Sequence, residues 1–489
     1  MADLIPPIRH AACALIWFLS VTMVSSCSDD PGDDETAAFN KTSRQCLQCH
    51  DVTLDNAHLV DCDQCHQPAE FQDGFPEDHP SVIAMPAHPD VADRTCGQCH
   101  DEQTAMVREN NHYRLTGHIE TMQAAFGVNA DPQKTEETTP HPVFARQNPE
   151  TKSGLAEDLL SRRCLRCHVY SSGDTFSAVS RGTGCASCHL AFSESKLSSH
   201  QFVAKPSDDR CLSCHYGNHV GFDFYGRYEH DLNEEYRTPY FMIDEESPPY
   251  GVEYHQLTVD VHHKSGMVCV DCHTQADVMG NSALPSCKQC HSYQQDQPTA
   301  LSIAIENQNV TFISAATSKS YTIPQMTHQA HDRFGNRFSC QACHAQWVFN
   351  DGPTHLLRID HEEFDNFYKL SIDGSYEVHQ IVSSHITDDG DLLEPFMTDK
   401  FTGEPFPGIW FRGFVERRWE RMLLMENSEG RITTARPILD LYLSWIDEDE
   451  QIRFENIRPV IPGLRPYAPH SIGKAGLFYQ ERIAPFIEP

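Results

Sequence analysis

Basic residues are scarce in this chain of 489 residues. It holds 37 lysines and arginines against 70 aspartates and glutamates, which gives a formal net charge of −33 at pH 7. Proteins that bind nucleic acids neutralise phosphates with a basic face, so this charge balance argues against that class. The excess of negative charge keeps a surface well solvated, and it can also steer basic partners or cationic metal species.

Long apolar runs are missing as well. The N-terminal run, residues 11–24, is shorter than the ~20 residues that span a bilayer. It follows Arg9 and ends at Cys27 in the sequence Val-Ser-Ser-Cys, which is typical of an export signal and similar to a bacterial lipobox. We therefore predict a lipoprotein signal over residues 1–27, acylation of Cys27, and a flexible acidic tether over residues 28–45. An ordinary cleaved signal and an uncleaved anchor are the alternatives.

Cysteine is absent beyond residue 343, and before that point it is used almost entirely in one motif. Nine copies of Cys-x-x-Cys-His account for 18 of the 20 cysteines and leave only Cys13 and Cys27. In chain order, the copies are Cys46, Cys49 and His50; Cys62, Cys65 and His66; Cys96, Cys99 and His100; Cys164, Cys167 and His168; Cys185, Cys188 and His189; Cys211, Cys214 and His215; Cys269, Cys272 and His273; Cys287, Cys290 and His291; and Cys340, Cys343 and His344.

This motif is the attachment sequence of c-type haem. Zinc sites and dithiol redox pairs also use Cys-x-x-Cys, and disulfide frameworks also use many cysteines. Those alternatives do not require a histidine directly after every pair. In c-type haem the two thiols form thioethers with the porphyrin, and the histidine becomes an axial ligand of the iron. The motifs therefore predict nine covalently bound haems.

Over residues 46–344 the chain resembles the multihaem c-type cytochromes. This resemblance implies that haem supplies the apolar core, so we expect a mostly irregular and α-helical multihaem array with little regular secondary structure over residues 46–345. It also implies electron transfer through closely spaced haems rather than substrate chemistry.

The resemblance and the N-terminal signal together imply a location and a set of partners. We expect an exported protein in the periplasm, at the outer membrane or on the cell surface, held to the membrane by a lipid on Cys27 and active in respiration. Other redox proteins or a quinol oxidoreductase would supply electrons, and an outer-membrane conduit complex is the assembly that such a subunit would join. No nucleic acid is expected as a partner.

Histidine is abundant outside the motifs. Nineteen histidines remain when those of the motifs and His10 of the signal are set aside. Two axial imidazoles saturate an iron, whereas methionine as second ligand would raise the potential. The sequence does not say which histidine serves which haem. His470 follows Ala468 and Pro469 in a loop-like stretch and could reach back as a ligand, but the sequence favours an exposed histidine there. Histidines that lie near motifs or on a predicted helix are the candidate second ligands: His58, His88, His112, His118, His200, His219, His262, His263, His328 and His331.

The alternative function is that of a multihaem oxidoreductase of a nitrogen or sulfur compound, with one haem open to substrate. Pentahaem nitrite reductases usually replace one motif histidine with lysine, and no Cys-x-x-Cys-Lys occurs here. The octahaem hydroxylamine and tetrathionate families use ordinary motifs and remain open as alternatives. A haem-lined filament is a third alternative, which the lipid tether disfavours. The sequence assigns no catalytic residue.

Residues 346–489 differ in character from the motif region. They contain no cysteine, and alternating stretches such as residues 376–382 and 431–445 predict a small, mainly β, haem-free module. Residues 426–430 carry a turn signal between two predicted strands. This module either covers porphyrins or docks a partner. Within the motif region, we predict a helix in residues 101–127 and a hairpin around residues 310–314.

Overall fold

A computed structural model describes residues 39–487, with the exception of residues 68–81, 128–148, 174–177, 194–195, 217–220, 231–252, 296–298, 300, 349, 352–353, 362–376, 379, 382–394, 413–416, 419–421, 438–440, 461–462 and 476–478. The predicted signal, Cys27 and His219 lie outside the described residues. In the part that is described, no helix is long and apolar enough to cross a bilayer.

Among the described residues, the α-helices are short, and most of them end at or before residue 344. Those before the fifth motif are α1 (Lys41–Cys46), α2 (Cys62–His66), α3 (Asp101–Arg108), α4 (Asn111–Arg114), α5 (Thr116–Ala125) and α6 (Lys152–Arg162). Those that follow are α7 (Ala186–His189), α8 (Asp208–His215), α9 (Gly221–Tyr225), α10 (Val261–Ser265), α11 (Gln275–Val278), α12 (Cys287–His291), α13 (Ala330–Phe334), α14 (Cys340–His344) and α15 (Tyr479–Ile483). Short 3-10 helices span Cys96–Gln98, Cys164–Cys167, Cys269–Asp271 and Ala484–Phe486.

Most motifs coincide with a helical turn. Helices α2, α12 and α14 each consist of one complete motif. A helical turn places residues three apart on the same face, so both thiols of a motif point to one side. Ser339 caps α14 by accepting a hydrogen bond from the amide of Ala342. The motif spacing thus determines the local backbone as well as the chemistry.

The helix predicted in residues 101–127 is present as three helices, α3, α4 and α5. Asn110 caps α4, and Leu115 adopts a left-handed conformation with φ of 45° between α4 and α5. These two positions interrupt the helix. Ile119 and Met122, which the apolar spacing selected, are buried as expected.

The strands are two to six residues long and form small sheets. They are β1 (Phe192–Ser193), β2 (Lys196–Leu197), β3 (Arg227–His230), β4 (Glu253–Gln256), β5 (Ile303–Glu306), β6 (Asn309–Ile313), β7 (Ser320–Thr322), β8 (Asn350–Asp351), β9 (Thr354–Ile359), β10 (Phe396–Thr398), β11 (Pro405–Pro407), β12 (Ile409–Arg412), β13 (Arg417–Arg418), β14 (Leu423–Glu426), β15 (Ile432–Pro437), β16 (Leu441–Ile446), β17 (Ile452–Ile457) and β18 (Leu464–Pro466). The hairpin predicted around residues 310–314 is confirmed, since β5, β6 and β7 form an antiparallel sheet.

Near the C-terminus the fold is mainly β, which confirms that part of the predicted fold class. A four-stranded sheet has the order β12-β9-β16-β17, in which β16 and β9 are parallel, and a three-stranded sheet has the order β14-β15-β18. The predicted turn joins β14 to β15, where Gly430 has a φ of 73°. The alternating stretch 376–382 was expected to be a strand, but its described residues 377, 378, 380 and 381 are helical.

The C-terminal sheet shares its core with the motif region. Leu155 and Leu159 of α6 pack in one buried cluster with Trp410 of β12 and Leu443 of β16. The same cluster includes Leu165, inside the fourth motif. The four-stranded sheet is therefore anchored to the segment that leads into that motif.

Candidate haem centres

Six pairs of histidine rings oppose each other among the described residues. In every pair one ring belongs to a Cys-x-x-Cys-His motif, and the other comes from outside the motifs. The ring centres are separated by 6.5 Å in His66 and His200, 6.1 Å in His100 and His58, 6.1 Å in His215 and His112, 6.3 Å in His273 and His470, 6.0 Å in His291 and His262, and 6.0 Å in His344 and His331.

Hydrogen bonds hold most of these rings by Nδ1. An acceptor at Nδ1 keeps the proton on that nitrogen and leaves the lone pair on Nε2 of a neutral imidazole. Ligand histidines of metal sites are oriented in this way. The acceptors are backbone carbonyls for His66, His291, His344 and His470, carboxylates for His58, His262 and His273, and the amide oxygen of Asn110 for His112.

Burial favours the neutral form of several paired rings. It lowers the pKa of His112 and of His291, and it lowers that of His200 together with repulsion from His66 and His50. A metal binds the neutral imidazole. The surroundings of these rings therefore keep them in the form that can serve as a ligand.

The paired rings fit a haem iron. A metal–imidazole bond of about 2.0 Å, with about 1.1 Å from nitrogen to ring centre, puts two opposed ring centres roughly 6.2 Å apart around one ion. The porphyrin supplies four further ligands, so the protein needs to contribute only two. Among the described residues, no group of three or more histidine, cysteine, aspartate or glutamate side chains is arranged to hold a metal ion.

In the structure, some of the ten candidate second ligands face a motif histidine and others do not. His58, His112, His200, His262 and His331 each face a motif histidine, whereas His219 lies outside the described residues. The remaining four have other surroundings. His263 packs on Tyr225 with ring centres 4.1 Å apart, and His88 lies 5.3 Å from the Tyr170 ring. His118 is exposed and lies near Arg465, and the Nδ1 of exposed His328 accepts the amide of Ala330.

His470, for which the sequence favoured exposure over a ligand role, faces His273 in the structure. It is half-buried rather than exposed, and its ring lies parallel to that of His273 within 13°. The fully buried carboxylate of Asp223 holds its backbone by accepting the amide of His470 at 3.0 Å. The sequence near residue 470 has no motif that would reveal this role, because His470 reaches its partner only through the tertiary fold.

The fourth motif has different surroundings. His168 is 1% exposed, and its Nε2 donates to the carbonyl oxygen of Tyr113 at 2.5 Å. Its ring stacks on Tyr170 at 4.9 Å and lies 5.5 Å from that of Phe401. Burial raises the pKa of Cys164 to about 11. Because a backbone carbonyl engages the nitrogen that would bind iron, this packing does not fit a haem held between two imidazoles.

The first and fifth motifs complete the set. His189 of the fifth motif is 2.7 Å from the carbonyl oxygen of Val203 through Nδ1, as in the paired rings. His50 of the first motif lies close enough to His200 to lower the pKa of that ring. His50 therefore lies among the same group of imidazoles as His66 and His200. His189 shares the hydrogen-bonding pattern of the paired rings.

Thiols of different motifs approach each other and define the order of the motifs in space. The thiols of five pairs lie close enough to interact: Cys46 and Cys62, Cys96 and Cys185, Cys167 and Cys214, Cys211 and Cys269, and Cys287 and Cys340. Electrostatic interactions place Cys65 near Cys96, Cys188 near Cys211 and Cys272 near Cys290. The motifs thus follow one another as first, second, third, fifth, sixth, seventh, eighth and ninth, and the fourth meets the sixth from the side.

Comparison of the chain with protein-family models, with curated proteins and with solved structures finds no match. The assignment of a function therefore depends on the motifs and on the geometry of the paired rings.

Proposed function

We propose that this protein is a multihaem c-type cytochrome that transfers electrons through closely spaced haems. The observation that carries the proposal is the set of six opposed imidazole pairs, each with one ring from a Cys-x-x-Cys-His motif and a separation that suits a shared iron. Two such imidazoles would saturate a haem iron, so these sites suit electron transfer without substrate binding.

The chain itself holds and orients the redox groups. When bound, haem supplies a one-electron couple at its iron. The motif cysteines would hold each haem, and Nδ1 hydrogen bonds orient most of the paired rings that would bind its iron. Because Cys96 lies near Cys185 and Cys211 lies near Cys269, haems attached to these motifs would be close neighbours. Eight motifs then form one continuous path.

Export and a lipid anchor at Cys27 complete the proposal. In bacteria c-type haem is attached outside the cytoplasm, so the N-terminal signal and the motifs require the same compartment. A donor such as a quinol oxidoreductase or another redox protein would deliver electrons to one end of the path. The net charge of −33 suits steering of basic partner proteins or cationic acceptors to the other end.

Electron paramagnetic resonance of the oxidised protein tests the proposal, with the haem content measured in parallel. We expect nine covalently bound haems and low-spin signals from the six paired sites. Replacement of His470 with alanine removes one axial ring and should convert one of the nine haems to high spin. His328→Ala is the matched control, because that exposed histidine faces no motif in the described structure. Absence of covalent haem, or an unchanged spin state in His470→Ala, would contradict the proposal.

A second candidate function is that of an oxidoreductase whose reactive centre is the fourth motif. Two observations favour it: the motif meets the sixth from the side instead of lying on the path, and Tyr170 stacks on the His168 ring. Iron binding at this motif would require the Nε2 of His168 to release the carbonyl oxygen of Tyr113. The hydroxyl of Tyr170 donates to that of Tyr113 at 3.5 Å beside this ring. Hydroxyl groups of this kind can hydrogen-bond a nitrogen or sulfur oxyanion.

Addition of nitrite, hydroxylamine or tetrathionate to the oxidised protein separates the two functions. The second candidate predicts a high-spin signal that changes with one of these compounds and responds more weakly in Tyr170→Phe. His331→Ala serves as the comparison, because it should create a high-spin haem away from the two tyrosines. If the wild-type spectrum is indifferent to all three compounds, the oxidoreductase function is excluded.

A further inference from the structure

Asn110 and Asp260 occupy the same position relative to a paired histidine. Asn110 caps α4, and its Oδ1 accepts the amide of His112 at 2.8 Å and lies 2.9 Å from the Nδ1 of that ring. Asp260 caps α10, and its Oδ1 accepts the amide of His262 at 2.7 Å and lies 2.9 Å from the Nδ1 of that ring. The same device thus orients two axial histidines, once with an amide and once with a carboxylate.

Both caps are fixed by further hydrogen bonds and are almost fully buried, at 3% and 2% exposure. The Nδ2 of Asn110 donates to the carbonyl oxygen of Asp277 at 3.0 Å, which settles the orientation of the amide and directs its oxygen to His112. The second oxygen of Asp260 accepts the amide of Ile472 at 2.7 Å. The Nδ1 of His112 also lies 3.1 Å from the carbonyl oxygen of Val278, so this ring faces two neutral acceptors, whereas the Nδ1 of His262 faces a carboxylate.

A carboxylate also contacts the seventh motif. The Nδ1 of His273 lies 2.9 Å from Oδ2 of Asp277, whose side chain is 20% exposed. An anionic acceptor draws the Nδ1 proton more strongly than a neutral one and makes the ring a more basic ligand. A more basic axial ligand stabilises the oxidised iron and lowers the reduction potential.

We propose that Asp260 and Asp277 are positioning residues that lower the potentials of the eighth and seventh haems, and that Asn110 leaves the sixth haem without this effect. The inference rests on the proposed function, since it needs haem between the paired rings. It goes beyond that function, because it states which haems along the path have the lower reduction potentials. The neighbouring seventh and eighth sites become a low-potential segment next to the sixth.

The experiment is a spectroscopic redox titration of the complete haem-loaded protein and four single variants. Asp260→Asn and Asp277→Asn should each move the midpoint of one haem to a more positive potential, and Asn110→Asp should move one midpoint to a more negative potential. Asp449→Asn removes one negative charge at an exposed position in the loop between β16 and β17 and should leave the titration unchanged. Both asparagine and aspartate cap helices well, so loss of the caps does not explain such shifts.

The outcomes separate this inference from the proposed function. If the variants have the same haem content and spin states as the wild type and also the same midpoint potentials, the inference is overturned and the cytochrome function stands. Shifts of the opposite sign overturn it as well. Absence of covalent haem in the wild type instead refutes the proposed function itself. Asp277→Asn keeps the test decisive if the buried Asp260→Asn protein fails to fold, because Asp277 is partly exposed.

Discussion

Replacement of both Cys211 and Cys214 with alanine is expected to interrupt electron flow between the first and ninth motifs. The sixth motif joins the fifth to the seventh through the contacts of its thiols with Cys188 and Cys269. Without its haem the path has a gap as wide as a porphyrin. The current through a single molecular layer of the protein between two electrodes should therefore fall to the level of the haem-free chain.

The matched control for this experiment is the pair of replacements Cys164→Ala and Cys167→Ala. It also removes one haem, but the fourth motif meets the path only from the side, at Cys214. We expect the current to remain near that of the wild type. Each variant should retain eight covalent haems, which confirms that the remaining sites are formed. Equal losses of current in the two variants would show that the order of motifs drawn from the thiol contacts is wrong.

Replacement of Asp158 with alanine is expected to lower the free energy of unfolding by about 3–5 kcal/mol, because it leaves the buried guanidinium of Arg162 without its carboxylate partner. Asp158 Oδ2 accepts from the guanidinium of Arg162 at 2.6 Å and from the indole of Trp410 at 2.7 Å. Arg358 lies 3.3 Å from the same oxygen. The side chains of Arg162 and Arg358 are only 1% and 3% exposed.

Denaturant unfolding of the haem-loaded protein measures this effect. Asp93→Ala is the control, because Asp93 pairs with Arg108 at the surface, where both side chains are about half exposed. An exposed pair contributes about 0–1 kcal/mol. The two variants should thus differ by several kcal/mol. A loss in Asp158→Ala no greater than in the control would mean that the shared core of α6 and the C-terminal sheet does not depend on this network.

The sequence predicted local features of the fold well. The turn at residues 426–430 and the hairpin around residues 310–314 depend on short-range chemistry, and both are present. The helix in residues 101–127 was predicted without its two interruptions, because neither the cap at Asn110 nor the left-handed Leu115 has a strong signature. The shared core of α6 and β12 joins segments about 250 residues apart, and local patterning cannot reveal such contacts.

In the candidate site, too, some features can be predicted from the sequence and others cannot. The motif cysteines and histidines can be read directly from the sequence, but the partners of the histidines cannot. His262 and His263 both precede the seventh motif, yet His262 faces His291 of the eighth, and the ring of His263 packs on Tyr225. Position along the chain identified five of the paired histidines but not their partners, because the tertiary fold decides which ring meets which motif.

The pairing of His273 with His470 joins residues about two hundred positions apart. A contact across so long a loop has a high entropic cost of closure and forms late. If haem is bound at the seventh motif, that site would have a single imidazole until residue 470 has joined the fold. Proteolytic removal of the segment that contains residue 470 would reopen this site in the middle of the path. The coordination state of the seventh motif would thus show whether the C-terminal segment is intact.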